Sequence, residues 1–229
     1  MALYRLNYAT DSKVIGINDQ IKTHGRYDRF GPNSYIRIPI DGPIDFDIQF
    51  PVFIMEKKAK KIDLLNCVPL GGNFLVISPK ALDLFKKFKL DHYQSFPIKV
   101  SHKQEEYSYH AFYLTSGRQR EYIDWGKSEF AVVDKRGFYF DIEKGKTIWP
   151  ELEILKFNSF EEYVIKLRKL RDTGQTVRHR IVKLSDSIHH DFSTFRGPLI
   201  GYYCSERFKN AIFENGLTGF DFKPIDDEV

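Results

Sequence analysis

The chain has 229 residues, of which 42% are hydrophobic and 29% charged, and a formal net charge of +4. That length supports one domain or two packed halves, and it buries enough surface to fold without disulfides or a structural metal. The interspersed charge excludes a strongly basic nucleic-acid binder, and the scarcity of Gly- or Pro-rich runs excludes a long disordered tail.

Aromatic residues make up 15% of the chain, with 20 Phe and 13 Tyr against 2 Trp, and this enrichment favours strands. The segment Met1–Asn7 is interrupted by Arg5 and polar groups, unlike the apolar stretch of a signal peptide. The longest apolar run, Pro51–Met55, is too short to cross a bilayer. Cys67 and Cys204 are far apart and read as reduced thiols. The cytoplasm is the expected location.

Taken in chain order, Tyr35–Ile40 and Phe46–Phe50 alternate as strands do, with turn chemistry at Asp41-Gly42-Pro43. His24–Ser34 reads as a loop. Phe74–Ile77 is a short buried-type strand, followed by Ser78 as an N-cap and Pro79 at the first helical position. The helix places Ala81, Leu84, Phe85 and Phe88 on one face, with Lys80, Lys86, Lys87 and Lys89 outside it. The chain is extended again from Tyr93 to Ile98.

Tyr107–Leu114 is a strand. Glu129–Val133 and Gly137–Ile142 read as a hairpin closed by Asp134–Gly137, and Leu152–Phe157 as a further strand. Ser159 with Glu162 forms a capping box, opening a helix whose apolar stripe is Phe160, Tyr163, Val164, Leu167 and Leu170. Leu199–Cys204, the cap Ser205, and Phe208, Ala211 and Ile212 then repeat the earlier strand–helix pattern at a constant offset. Leu217, Phe220 and Pro224 match Leu90, Tyr93 and Pro97. The expected class is α+β: mostly antiparallel sheet with a few amphipathic helices, including a duplicated strand–helix–strand element. The chain forms one domain, 1–229, or two packed halves, 1–70 and 71–229.

Few residues are spaced for chemistry. His189-His190-Asp191, preceded by Asp186, is the nearest approach to a ligand cluster, but no metal-binding spacing is present, and neither metal nor cofactor is expected. Ser78 and Ser205 have capping roles and sit in no nucleophile elbow. Cys204 could be drawn as a pair with His189 or His190, although nothing in the sequence brings them together. Gly71-Gly72 lacks the rest of a phosphate loop. Asp124 and Glu129 are the acids to inspect for hydrolysis. Lys57, Lys58, Lys60 and Lys61 form one basic cluster. A second comprises Lys166, Arg168, Lys169, Arg171, Arg178, Arg180 and Lys183, opposed within its own run only by Asp172. Both read first as solvated faces.

Three stretches carry a resemblance. They are Val76-Ile77-Ser78-Pro79-Lys80 with its helix and Phe96-Pro97; Tyr122-Ile123-Asp124-Trp125-Gly126-Lys127-Ser128-Glu129-Phe130; and Cys204–Lys209 through Gly216-Leu217-Thr218-Gly219-Phe220 to Pro224. In this order, over residues 74 to 225, they resemble the immunity-protein family numbered eleven among those of bacterial polymorphic toxin systems. The resemblance implies a non-enzyme that binds and neutralises a cognate toxin encoded beside it. It carries over no contact residues. Asp124, Trp125, Ser128, Leu217 and Gly219 read as scaffold. The contact patch suggested by charge is Lys166, Lys169, Arg171, Arg178 and Arg180, which suits an acidic toxin face. The competing readings are a hydrolase of a modified protein or nucleotide using Asp124 and Glu129, and a nucleic-acid module using residues 166–183. No membrane partner is expected.

Overall fold

The computed structural model describes residues 3–39, 42–115, 119–143, 146–185, 188–196 and 199–225. The elements in chain order are β1 (Leu3–Tyr8), α1 (Ser12–Ile15), β2 (Ile21–His24), β3 (Val52–Met55), β4 (Leu64–Leu65), β5 (Leu75–Ile77), α2 (Pro79–Phe85), β6 (Tyr93–His102) and β7 (Glu105–Leu114). Next come α3 (Gln119–Tyr122), β8 (Glu129–Asp134), β9 (Tyr139–Asp141), β10 (Lys146–Ile148), β11 (Glu151–Leu155), α4 (Phe160–Leu170) and β12 (Gln175–Ile181). The chain closes with β13 (Phe192–Arg196), β14 (Ile200–Ser205), α5 (Glu206–Glu214) and β15 (Phe220–Pro224). The class is α+β, and the sheets are mostly antiparallel.

Two compact units emerge. The first takes in the described residues of Met1–Gly117, His189–Phe195 and Gly201–Ile225, and the second those of Arg118–Ile188 and Arg196–Ile200. The boundary expected near residue 70 falls inside the first unit, where β4 and β5 on either side of it pair through Leu64↔Ile77 and Leu65↔Val76.

The first unit holds a six-stranded sheet, order β2-β3-β6-β7-β5-β4, and a four-stranded sheet, order β13-β14-β1-β15. β1 is antiparallel to β14 and β15, β2 to β3, β4 to β5, and β7 to β5 and β6, while β3 runs parallel to β6. The central strands explain their own composition. Leu75, Val76 and Ile77 are all fully buried, because the six-stranded sheet is covered on both faces. Val76, Val100, Ala111 and Tyr113 join a cluster with residues of the first seventy, while Leu75, Ile77, Phe112 and Leu114 join one with α2 and α5. In the second cluster Phe85 meets Phe208 with ring centroids 4.8 Å apart. Each such phenylalanine stabilises the unit by roughly 1.5–3 kcal/mol.

The two strand–helix–strand elements are fastened reciprocally. Ser78 caps α2 by accepting the Ala81 N–H at 3.1 Å and donates its hydroxyl to Asp63 at 2.7 Å. Ser205 caps α5 by accepting the Phe208 N–H at 3.2 Å and donates to Asp191 at 2.9 Å. The second oxygen of Asp63 accepts the N–H and the hydroxyl of Thr218, beyond α5, whereas that of Asp191 accepts the N–H of Lys89, beyond α2. Backbone bonds run the other way, from the Asp63 N–H to the Thr218 carbonyl and from the Asp191 N–H to that of Lys89.

Several local expectations are corrected. Within 35–40 the described residues form a 3-10 turn at Tyr35–Arg37, whose N–H of Ile36 is captured by the Ser34 hydroxyl, and Phe46–Phe50 forms no strand beyond a single bridge at Gln49. Pro39, Pro43 and Pro51 remove ladder donors around both segments. Ile40 and Asp41 lie outside the described residues. The hairpin of Glu129–Val133 with Gly137–Ile142 does not form either. β8 takes β11 and β12 as partners, and β9 pairs with β10. A strand whose Phe130, Ala131, Val132 and Val133 are all buried requires a central place, which a hairpin edge cannot supply. The capping box of α4 is half made: Ser159 accepts the Glu162 N–H, but the Glu162 carboxylate reaches back to the N–H of Asn158.

Candidate partner-binding surface

The second unit is built on the three-stranded sheet β11-β8-β12. Cross-strand pairs set its two faces. Val132 lies opposite Val177, and Ala131 opposite Arg178, so alternate residues of β8 look in opposite directions. On the face of Phe130 and Val132 an aromatic core gathers: the Trp125 ring lies 5.7 Å from both Phe130 and Tyr163 and 5.9 Å from Phe160, and Phe157 lies 5.1 Å from Phe130. Burial there pushes the Tyr163 phenol up to about 12. On the other face Ala131, Val133, Trp149, Glu151 and Arg178 line a concavity of about 340 Å³.

This geometry divides the expected cationic patch. Lys166 lies on α4 and pairs with Glu153 at 2.8 Å, while Lys169 and Arg171 stand exposed near the end of the same helix. Arg171 also lines a hollow of about 320 Å³ with Lys135 and Arg168. Arg178 and Arg180 sit two residues apart on β12, on the sheet face of Ala131 and Val133. Arg180 binds Glu129 at 3.2 Å and Glu151 at 3.1 Å. Arg178 instead lies over the Trp149 ring, 4.9 Å from its centroid, and among the described residues no carboxylate pairs with it. The run opposed in sequence only by Asp172 is therefore opposed in space by three glutamates from other strands.

The motif residues make dense local contacts. Asp124 accepts the Lys127 N–H at 3.2 Å and pairs with its ammonium at 2.8 Å. That side-chain bond, helped by backbone N–H groups, holds the carboxyl below its usual range. Ser128, fully buried, donates to the Asp124 carbonyl and accepts the Lys183 N–H, tying the turn to the chain beyond β12. In the first unit, Gly216 and Leu217 close α5: their N–H groups return to Phe213 and Ile212, the Schellman arrangement, with Gly216 at φ +62°. Gly219 has φ +92°, and a Cβ there would lie 2.4 Å from the Leu64 carbonyl oxygen.

The residues inspected for catalysis are engaged elsewhere. Asp124 faces Lys127, and Glu129 faces Arg180 and Lys156. Asp191 belongs to the clasp with Ser205, and Arg207 also binds it, with Nε at 3.2 Å. Burial alone would raise that carboxyl, but the bonds from Arg207, Ser205 and the Lys89 N–H outweigh it and lower the pKa. Burial pushes the thiols of Cys67 and Cys204 up to about 12. Asp186 lies outside the described residues, and among the described residues no three His, Cys, Asp or Glu side chains are placed to hold a metal. No described helix is long and apolar enough to cross a membrane.

Sequence reasoning passed over one feature of this unit. Phe138, Tyr139, Phe140 and Ile142, with Leu152 and Ile154 on β11, are all more than half exposed. The signal was three consecutive aromatics, which a strand with one buried face does not need. No protein-family model, no curated protein and no solved structure matches the chain.

Proposed function

We propose that this chain is a non-catalytic immunity protein that binds and neutralises a cognate bacterial toxin in the cytoplasm of the producing cell. The observation that carries the reading is the set of exposed large apolar side chains on the second unit, flanked by the stacked Arg178. Exposed apolar groups of this size mark interaction surfaces, and aromatic residues with Arg are the side chains enriched at protein interfaces. The resemblance to an immunity family supports it independently. The shared motif residues hold turns, caps and ring contacts, which leaves recognition to other surfaces.

The test is co-expression with the product of the adjacent gene. That product is expected to be lethal alone, harmless beside this chain, and recovered with it as a stoichiometric complex. Survival that does not depend on this chain defeats the reading. Turnover of a modified protein or nucleotide that disappears in a folded Asp124→Ala or Glu129→Ala variant would replace it with the hydrolase.

A further inference from the structure

We propose that the β9–β10 ribbon, with Arg178 at its base, is the element that enters the toxin, and that its counterpart is an apolar cleft rimmed by carboxylates. This deepens the preceding reading and rests on it. Among the described residues β9 and β10 form a sheet of two strands, through Asp141↔Lys146, Phe140↔Thr147 and Tyr139↔Ile148. Successive strand residues point to opposite faces, so exposures of 57%, 56% and 60% at Phe138, Tyr139 and Phe140 leave aromatic surface in solvent on both faces of the ribbon. Ile142, just past β9, is 86% exposed. A two-stranded ribbon has little stability of its own, and an apolar cleft would supply the burial it lacks.

Charge selects the cleft's rim. The Phe138 ring lies 5.4 Å from Trp149, and the Arg178 guanidinium covers Trp149, so that one stack runs from the cation into the ribbon. The ring occupies one face of the guanidinium, and among the described residues no carboxylate pairs with its N–H edge. Arg180, two residues away on the same sheet face, already holds two glutamates. The ribbon's base therefore offers one planar, pre-positioned and uncompensated cation, the group that grips a carboxylate with two parallel bonds. Glu129 and Glu151 beside it disfavour a polyphosphate backbone, which a row of uncompensated cations would attract.

The experiment measures binding of the full chain to the toxic product of the adjacent gene by calorimetry. A Phe140→Ser, Ile142→Ser double variant should weaken binding at least 100-fold. Arg178→Glu should weaken it 10-fold or more and abolish the salt dependence seen with the unaltered chain. Lys169→Glu, on α4, should leave affinity within 3-fold. Circular dichroism should show unchanged folding, because every altered side chain is exposed. Failure of the unaltered chain to bind or protect removes both readings. Tight binding and protection that survive in the ribbon variants overturn the ribbon alone. Loss in those variants of a concentration-dependent dimer, or of binding to a labelled oligo-dT, would instead give the ribbon to a second copy or to single-stranded nucleic acid.

Discussion

Asp63 and Asp191 each join one helix's N-cap serine to the chain leaving the other helix. Each carboxylate caps the helix of its own strand–helix–strand element through a serine, and each also binds the chain leaving the helix of the other element. The two elements are thus reciprocally fastened.

Breaking one fastening should therefore be felt at both helices. Ser205→Ala removes an N-cap that is 2% exposed and costs about 1–2 kcal/mol. Asp191→Asn is expected to cost about 1.5–3 kcal/mol, since its partners include a charged group. Because the two residues share one network, the double variant should cost less than the sum of the single ones. Urea midpoints of the four proteins check this, and strict additivity would contradict a shared network.

Acid should erase the Asp191 contribution. The folded carboxyl titrates below its ordinary 3.8, so between the two values the unfolded chain holds more protons and stability rises with pH. The stabilisation is complete above about pH 5 and is lost as pH falls through the folded value. The gap between the unaltered protein and Asp191→Asn should narrow below pH 4 in urea titrations run at stepped pH. A gap that stays constant would mean the ionised form is not the stabilising one.

Both thiols should be inert in the folded protein. With Cys67 and Cys204 pushed up to about 12, almost no thiolate exists near neutral pH, and burial blocks access as well. Ellman's reagent at pH 8 should report both cysteines rapidly in denaturant and neither on the same timescale in buffer. Fast labelling of native Cys204 would revive the thiol nucleophile.

Gly219→Ala should be costly on two counts. The backbone conformation is left-handed, and the new Cβ would collide with the Leu64 carbonyl. About 2–4 kcal/mol of stability should be lost, as for other strained positions. A thermal melt within a degree of the unaltered protein would show that the local backbone relaxes.

Trp125→Ala should cost about 3–5 kcal/mol through the cavity it opens among Phe130, Phe160 and Tyr163. Trp149 is then the only tryptophan left, and it belongs to the same unit. Its emission should shift at a markedly lower urea concentration than in the unaltered protein, and an unmoved midpoint would place Trp125 outside the core.

Much of the fold was legible wherever local chemistry and burial agree. Ser78 with Pro79, and Ser205 with the Phe208-Ala211-Ile212 face, announced both helices of the repeated element. What stayed hidden depends on pairing across long separations. Nothing near Glu129 says that its strand lies between β11 and β12, and nothing near Asp63 says that Thr218 will reach it. The cationic patch divides for a related reason: proximity in sequence is not proximity in space, and period-two alternation and the change from α4 to β12 send Lys166 and Arg178 to opposite faces. The exposed ribbon escaped because Phe138-Tyr139-Phe140 has the composition of a core strand.

The nesting of the chain sets an order of events at the ribosome. Strand β1 lies between β14 and β15, so that Tyr4 meets Cys204 on one side and Pro224 on the other. The four-stranded sheet cannot close until β15 has emerged, whereas the strands and helix between α3 and β12 are contiguous in sequence and can pair before it does. Until β14 and β15 are made, both hydrogen-bonding edges of β1 stay open.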